Sequence, residues 1–188
     1  MASPVSSLHG GSVVLPIKGF ADAKARLESV LSKENRASLA EFTAGGLLEA
    51  ALGVDTFVVC DNDDIAQWAR QRGALVVRQT APGLNAAVAC GVDAAQFKRD
   101  WVLVAHSDLP FADQLLSVVD SQLATTTVTI VPDRHEDGTN VLVIPARSGF
   151  TFHYGQGSFA AHQAEAARLG LPVRIVRNEQ LALDIDTP

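Results

Sequence analysis

Short runs of β-branched and aliphatic residues alternate along the chain with longer stretches in which apolar residues return every three or four positions. The first pattern suits a buried strand and the second a helix packed by one face. Their interleaving from end to end marks an α/β domain built on a mostly parallel sheet with helices on both faces. The pattern predicts strands near 13–17, 55–60, 74–77, 101–105, 127–131, 140–145 and 173–176. It predicts helices near 21–30, 34–51, 63–71, 84–96, 112–123 and 158–169. Ser32, Asp61 and Asp113 stand where N-caps are needed, and Gly53, Gly73 and Gly170 where helices close. The helix from Ala86 to Ala95 is built of small residues and can lie tightly on the sheet.

No repeat, low-complexity tract or Pro-rich linker divides the pattern, and 188 residues is the length of one domain with a substantial core. We therefore expect a single domain over 13–188 behind a flexible tail at 1–12. The longest apolar runs reach about five residues, far short of the roughly 20 that span a bilayer. The first twelve residues are small and polar, unlike a secretory leader, which favours a cytoplasmic protein. Cys60 and Cys90 form no C-x-x-C pattern and read as two buried, reduced thiols.

Fifteen basic against twenty-one acidic residues give a net charge of −6, without any large basic cluster. This composition excludes a protein that grips nucleic acid or an anionic membrane through its surface, so any anionic partner must be small. What positive charge there is lies unevenly, with Lys18, Lys24 and Arg26 falling within nine residues.

In open α/β sheets, ligands collect beyond the carboxyl ends of the strands. After the first strand, Lys18, Gly19, Lys24 and Arg26 offer point charges and backbone donors suited to a triphosphate, although neither a Walker A nor a G-x-G-x-x-G pattern is present. A solvated helix face, with Lys24 or Arg26 paired to Glu28, is the plainer reading. After the fourth strand, His106-Ser107-Asp108-Leu109-Pro110 presents Asp108 at the crevice, where a carboxylate holds Mg²⁺ beside a nucleotide phosphate or caps a helix. Asp184 and Asp186 stand two apart, so in an extended segment they face one side about 7 Å apart. Convergence of Asp108, Asp184 and Asp186 would make a two-Mg²⁺ site, and an Asx-turn is the alternative.

Three further segments carry donors. Asp137-Gly138 signals a hairpin, after which Thr139 and Asn140 can donate to an anion. Gly155 and Gly157 lead to a helix start where Ser158 would cap and donate, with His162 on the same face; a cap without a ligand explains the segment as well. Gly83-Leu84-Asn85 could meet a flat base through backbone groups, or be an ordinary loop.

Taken in order, V-L-P-I-K-G-F-A-D-A-K-A-R-L, G-L-N-A-A-V, H-S-D-L-P-F, D-R-H-E-D-G-T-N-V-L, Y-G-Q-G-S-F-A-A-H and D-I-D-T-P resemble the guanylyltransferases of coenzyme F420 biosynthesis. These are small relatives of the molybdenum-cofactor and sugar-phosphate nucleotidyltransferases, with a Rossmann-like nucleotidyltransferase fold. The resemblance covers nearly all of Val13 to Pro188. It implies that a three-carbon phosphorylated acid (2-phospho-L-lactate, phosphoenolpyruvate or 3-phospho-D-glycerate) attacks the α-phosphate of GTP and releases pyrophosphate.

By the same resemblance Asp108, Asp184 and Asp186 hold Mg²⁺, and Thr139, Gly155 and Ser158 hold the acid. Lys18, Lys24 and Arg26 face the triphosphate and, with Asp108, form the catalytic set, while Gly83, Leu84 and Asn85 border the guanosine. A downstream transferase of the pathway is the implied partner, and a homodimer is compatible. The G-x-G-x-R-L opening of the wider superfamily is missing, so guanine specificity is not readable from that loop. Relatives also usually continue past Asp-Thr-Pro, which implies a further C-terminal element. The rival readings are transfer to another phosphorylated acceptor such as a sugar phosphate, use of CTP, or a non-catalytic nucleotide-binding regulatory domain.

Overall fold

The computed structural model describes residue 8 and residues 10–185. The strands are β1 (Gly11–Pro16), β2 (Asp55–Cys60), β3 (Leu75–Arg78), β4 (Trp101–Ala105), β5 (Val128–Pro132), β6 (Thr139–Pro145) and β7 (Val173–Ile175). They form one seven-stranded sheet in the order β3-β2-β1-β4-β6-β5-β7. β1 is parallel to β2 and β4, β2 to β3, and β5 to β7. Only β6 runs against its neighbours, β4 and β5. The order reverses at β1, which sends β2 to one side and β4 to the other and so opens a crevice at their carboxyl ends.

The central strands are mostly apolar because both faces are covered. Val13, Leu15 and Ile17 enter one core with Trp101, Leu103, Ala105, Val141 and Val143. Val14, Val102, Val104, Leu142 and Ile144 enter the other. Helices α1 (Lys33–Ala50) and α2 (Asp63–Gln71) pack on the first face, and α3 (Leu84–Ala95) and α4 (Ser158–Arg168) on the second. α3 lies close, as its small residues predict: a Cβ on Gly91 would come within 2.4 Å of Val59 and 2.6 Å of Val14.

Local chemistry sets the helix ends. The Ser32 hydroxyl accepts from the Asn35 amide and caps α1, as expected. The cap of α2 is Asn62, not Asp61; the Asn62 Oδ1 accepts from Asp64 and Ile65 at 2.8 and 3.1 Å. Gly53, Gly73 and Gly170 all take positive φ after their helices. Cys60 is buried as expected, whereas Cys90 is only half-buried; both are free.

Two predicted helices are not α-helices. Over 21–30 the chain forms two 3₁₀ turns, Phe20–Asp22 and Ala25–Leu27, broken by Lys24 at a left-handed φ of 54°. One left-handed residue interrupts the continuous right-handed backbone that an α-helix needs. Over 112–123 a 3₁₀ stretch ends at Val118, and Phe111 rather than Asp113 occupies its N-cap position. The Asp120 carboxylate then accepts from the Gln122 and Leu123 amides, a local turn that competes with helix continuation. No helix among the described residues is long and apolar enough to cross a membrane.

Candidate active site

A cleft of about 730 Å³ opens beyond β1, β2 and β4, bordered by Lys18, Lys24, Arg26, Asn62, Leu84, His106 and Asp108. A second hollow of about 900 Å³ lies between α1 and residues 110–113. Its one cation, Arg72, is paired with Glu41 at 3.2 Å and lies over Trp68. The larger hollow therefore lacks the charge that the first cleft gathers.

The cationic loop is held by its apolar residues. Ile17 extends β1 by donating to the Val59 carbonyl at 2.9 Å, and Phe20 meets Trp68 edge-on at 5.1 Å. Leu27 is buried. With those side chains turned inward, Lys18 and Arg26 remain exposed at the cleft. Lys24 behaves differently: its ammonium donates to the Ile185 carbonyl at 2.7 Å, tying the loop to the C-terminal Asp-Ile-Asp segment.

Asp108 follows β4 on a loop gripped from three sides. The Thr43 hydroxyl donates to the Ser107 carbonyl at 2.8 Å, the His106 amide to Asn140 at 3.1 Å, and Leu109 is buried. The Ile185 amide donates to the Asp108 carbonyl at 3.3 Å. The loop carrying Asp108 and the segment carrying Asp184 are thus joined through the backbone. That segment belongs to no strand, and Asp186 lies outside the described residues.

Asp108 caps no helix. Its Oδ1 is buried without a hydrogen-bond partner. A carboxylate oxygen enclosed in this way is costly unless a donor or cation meets it, so the group fits a hard divalent cation. Among the described residues no cluster of three or more acidic, His or Cys side chains is complete.

The predicted acid-binding residues Thr139, Gly155 and Ser158 are not among the residues that border this cleft. Thr139 opens β6 and is fully buried, with its Oγ1 3.0 Å from His162 Nδ1. The His162 Nε2 accepts from the His153 amide at 3.1 Å. Burial, reinforced by His153 and His106, lowers the His162 pKa to about 4. Asn140 does not face the cleft; its amide donates to the Leu181 carbonyl at 3.0 Å and pins the C-terminal segment.

Ser158 is the first residue of α4 and buried, but the cap position belongs to Gly157, so the expected Ser158 cap is not formed. Asp137 engages that helix start, its carboxylate accepting from the Gly157 amide at 3.2 Å and its carbonyl from Phe159 at 3.0 Å. Gly155 and Gly157 have φ of 126° and 73°, with open space where side chains would stand. They serve backbone angles that other residues rarely adopt.

Of Gly83, Leu84 and Asn85, Leu84 borders the cleft. Gly83 takes φ 100° at the N-cap of α3. The Asn85 side chain pairs with both backbone groups of Tyr154, donating at 3.1 Å and accepting at 2.6 Å. It is a strut between α3 and the 150–157 segment.

Several neighbours escaped the sequence reading. Asn62 and Asp61 border the cleft after β2, where the rule that ligands gather beyond strand ends could have found them. His106 Nε2 and Tyr154 Oη are buried without partners, with their rings 5.1 Å apart. Burial pushes the Tyr154 phenol far above its usual range. Nothing in the local pattern announced that pairing.

Residues 11–188 match the family model described as guanylyl transferase CofC like. A phosphoenolpyruvate guanylyltransferase of Sphaerobacter thermophilus is 35% identical over 93% of this chain and 87% of its own length. A 3-phospho-D-glycerate guanylyltransferase of Phenylobacterium zucineum is 31% identical over 93% of this chain and 85% of its own. Among solved structures, a nucleotidyl transferase from Methanothermobacter thermautotroptrophicus superposes with a TM-score of 0.63 at 15% identity, covering 94% of this chain and 92% of that one. That likeness concerns the fold.

Proposed function

The chain belongs to the CofC-like guanylyl transferase family, and from that premise we propose that it transfers GMP from GTP to a three-carbon phosphorylated acid with release of pyrophosphate. One observation carries the reading. The cationic loop and Asp108, whose Oδ1 is buried and unpartnered, border one cleft, and the Asp184 segment is tied to both through Lys24 and the Ile185–Asp108 backbone bond. The acids in question are those named for the relatives, phosphoenolpyruvate and 3-phospho-D-glycerate, together with 2-phospho-L-lactate.

The nucleophile is an oxygen of the acid's phosphate, already ionised, so no side chain need take a proton. It forms a bond to the α-phosphorus of GTP as the bond to the bridging oxygen breaks, and the electron pair leaves with pyrophosphate. The chain's work is to hold two mutually repelling anions in line and to offset their charge. Lys18 and Arg26, exposed at the cleft, meet the triphosphate. Lys24 orders the C-terminal segment from the same loop. Leu84 and the turn it shares with Gly83 and Asn85 border the guanosine, while Thr139, Gly155 and Ser158 take the acid.

Asp108 and Asp184, with Asp186 as the third group, would hold Mg²⁺. When bound, it neutralises the phosphate oxygens and orients them. The diphosphate-linked product suits a transferase that consumes it in the synthesis of coenzyme F420.

Purified chain supplied with GTP, Mg²⁺, a product-consuming partner enzyme and each of the three acids should release pyrophosphate with at least one. Silence with all three refutes the reading. Release with CTP in place of GTP, or with a sugar phosphate alone, replaces it with one of its rivals.

A further inference from the structure

The His162 ring has its protonation written into its contacts. Its Nε2 accepts the His153 backbone N–H at 3.1 Å, so that nitrogen must keep its lone pair. The proton of the neutral ring therefore sits on Nδ1 and donates to Thr139 Oγ1 at 3.0 Å. A hydroxyl that accepts in this bond keeps its own hydrogen for another acceptor. Both residues are fully buried, so water does not compete for either group.

We infer that His162 is a positioning residue, a neutral imidazole that turns the Thr139 hydroxyl into a fixed donor for the phosphorylated acid and holds the His153–Tyr154 backbone beside it. The inference rests on the proposed function, in which Thr139 takes the acid.

The surroundings agree. His153 from the 150–157 segment and His106 from the loop after β4 face the ring and, with burial, keep it neutral; Glu165 on its own helix acts the other way. Tyr154 packs edge-on against it at 4.8 Å, and Phe150 lies at 5.8 Å. Glu165 is itself taken up by Arg168 and by the Thr151 amide. Protonation of Nε2 would set two N–H groups against each other and break the His153 bond. Thr139 is enclosed, and the turn before β6 is held to the start of α4 by the two bonds to Asp137, so binding of the acid through Thr139 requires that contact to part.

The test uses the full chain, with KM values for acid and GTP measured separately. His162→Phe keeps the ring's packing and removes both nitrogens. His162→Asn places an amide donor near the Nδ1 position. The Phe variant should raise the acid KM about tenfold or more with the GTP KM within about twofold, and Asn should recover most of the loss. Against Thr139→Val, the Phe effect should largely vanish, because both act through one hydroxyl.

Equal rises in both KM values, no change in the acid KM, or effects that simply multiply overturn the inference. If the Phe variant fails to fold, Asn decides: a small defect that disappears in the Thr139→Val background supports the inference, and one that persists there overturns it. A wild-type chain silent with every acid refutes the proposed function instead, so the two failures are distinguishable.

Discussion

Two regions of the protein are built on opposite plans. Beyond β1 and β4, the cleft exposes the side chains of Lys18 and Arg26, and the Asp108 Oδ1 is buried with no hydrogen-bond partner. Around β6, the 150–157 segment and α4, the groups expected to meet a ligand are mostly bonded within the protein. Thr139 is bonded to His162, Asn140 to Leu181, Asn85 to Tyr154, and the start of α4 to Asp137. The difference teaches a division of labour. Charge gathers at the cleft, while the second region is organised in advance by bonds within the protein, which fix the direction of its donors.

The largest test of this contrast is Asp108→Asn. It keeps the shape of the cleft and removes the carboxylate charge, so pyrophosphate release should fall by roughly 10²-fold or more, the scale of losing a key electrostatic group. Thermal stability should hold steady or rise, because the enclosed Asp108 Oδ1 has no hydrogen bond to lose. A variant of near-normal rate would break the comparison.

The internally bonded region around His162 should instead report in stability. His162 is neutral in the fold down to about pH 4, whereas its ordinary value is 6.5. Between those values the unfolded chain binds a proton that the folded chain refuses. Stability is therefore full above about pH 6.5 and falls as the pH drops toward 4. The loss approaches roughly 3 kcal/mol at about 1.4 kcal/mol per pH unit. Urea titrations across this window check it, and His162→Asn should remove that part of the slope.

A smaller effect is expected for Asn140→Ala, which leaves the buried Leu181 carbonyl without its donor. The expected cost is about 2 kcal/mol. Activity should fall too if the C-terminal segment loosens from Asp108, and chemical denaturation with parallel assays would show both.

The fold was legible because covering both faces of a sheet leaves an unmistakable trace. β2 and β4 fall on the expected residues 55–60 and 101–105, and α2 on 63–71. The helix expected over 21–30 failed for a reason no local pattern contains. Its spacing is helical, yet Lys24 takes a left-handed backbone and reaches Ile185, 161 positions away.

The site divides in the same way. Lys18, Arg26 and Asp108 could be found because chemistry after a strand end is a local signature. The roles of Asn85, Asn140 and His162 could not, because each rests on a side-chain bond to a distant part of the chain.

The close seat of α3 has a consequence for accuracy. With Val59 and Val14 standing where a Cβ on Gly91 would be, the helix has one height above the sheet and almost no slack around it. Leu84 lies seven residues toward the amino end, about 10 Å along the axis at 1.5 Å per residue. Gly91 is thus a machinist's datum: a missing methyl group, two turns away, sets the level from which the Leu84 side of the cleft is gauged.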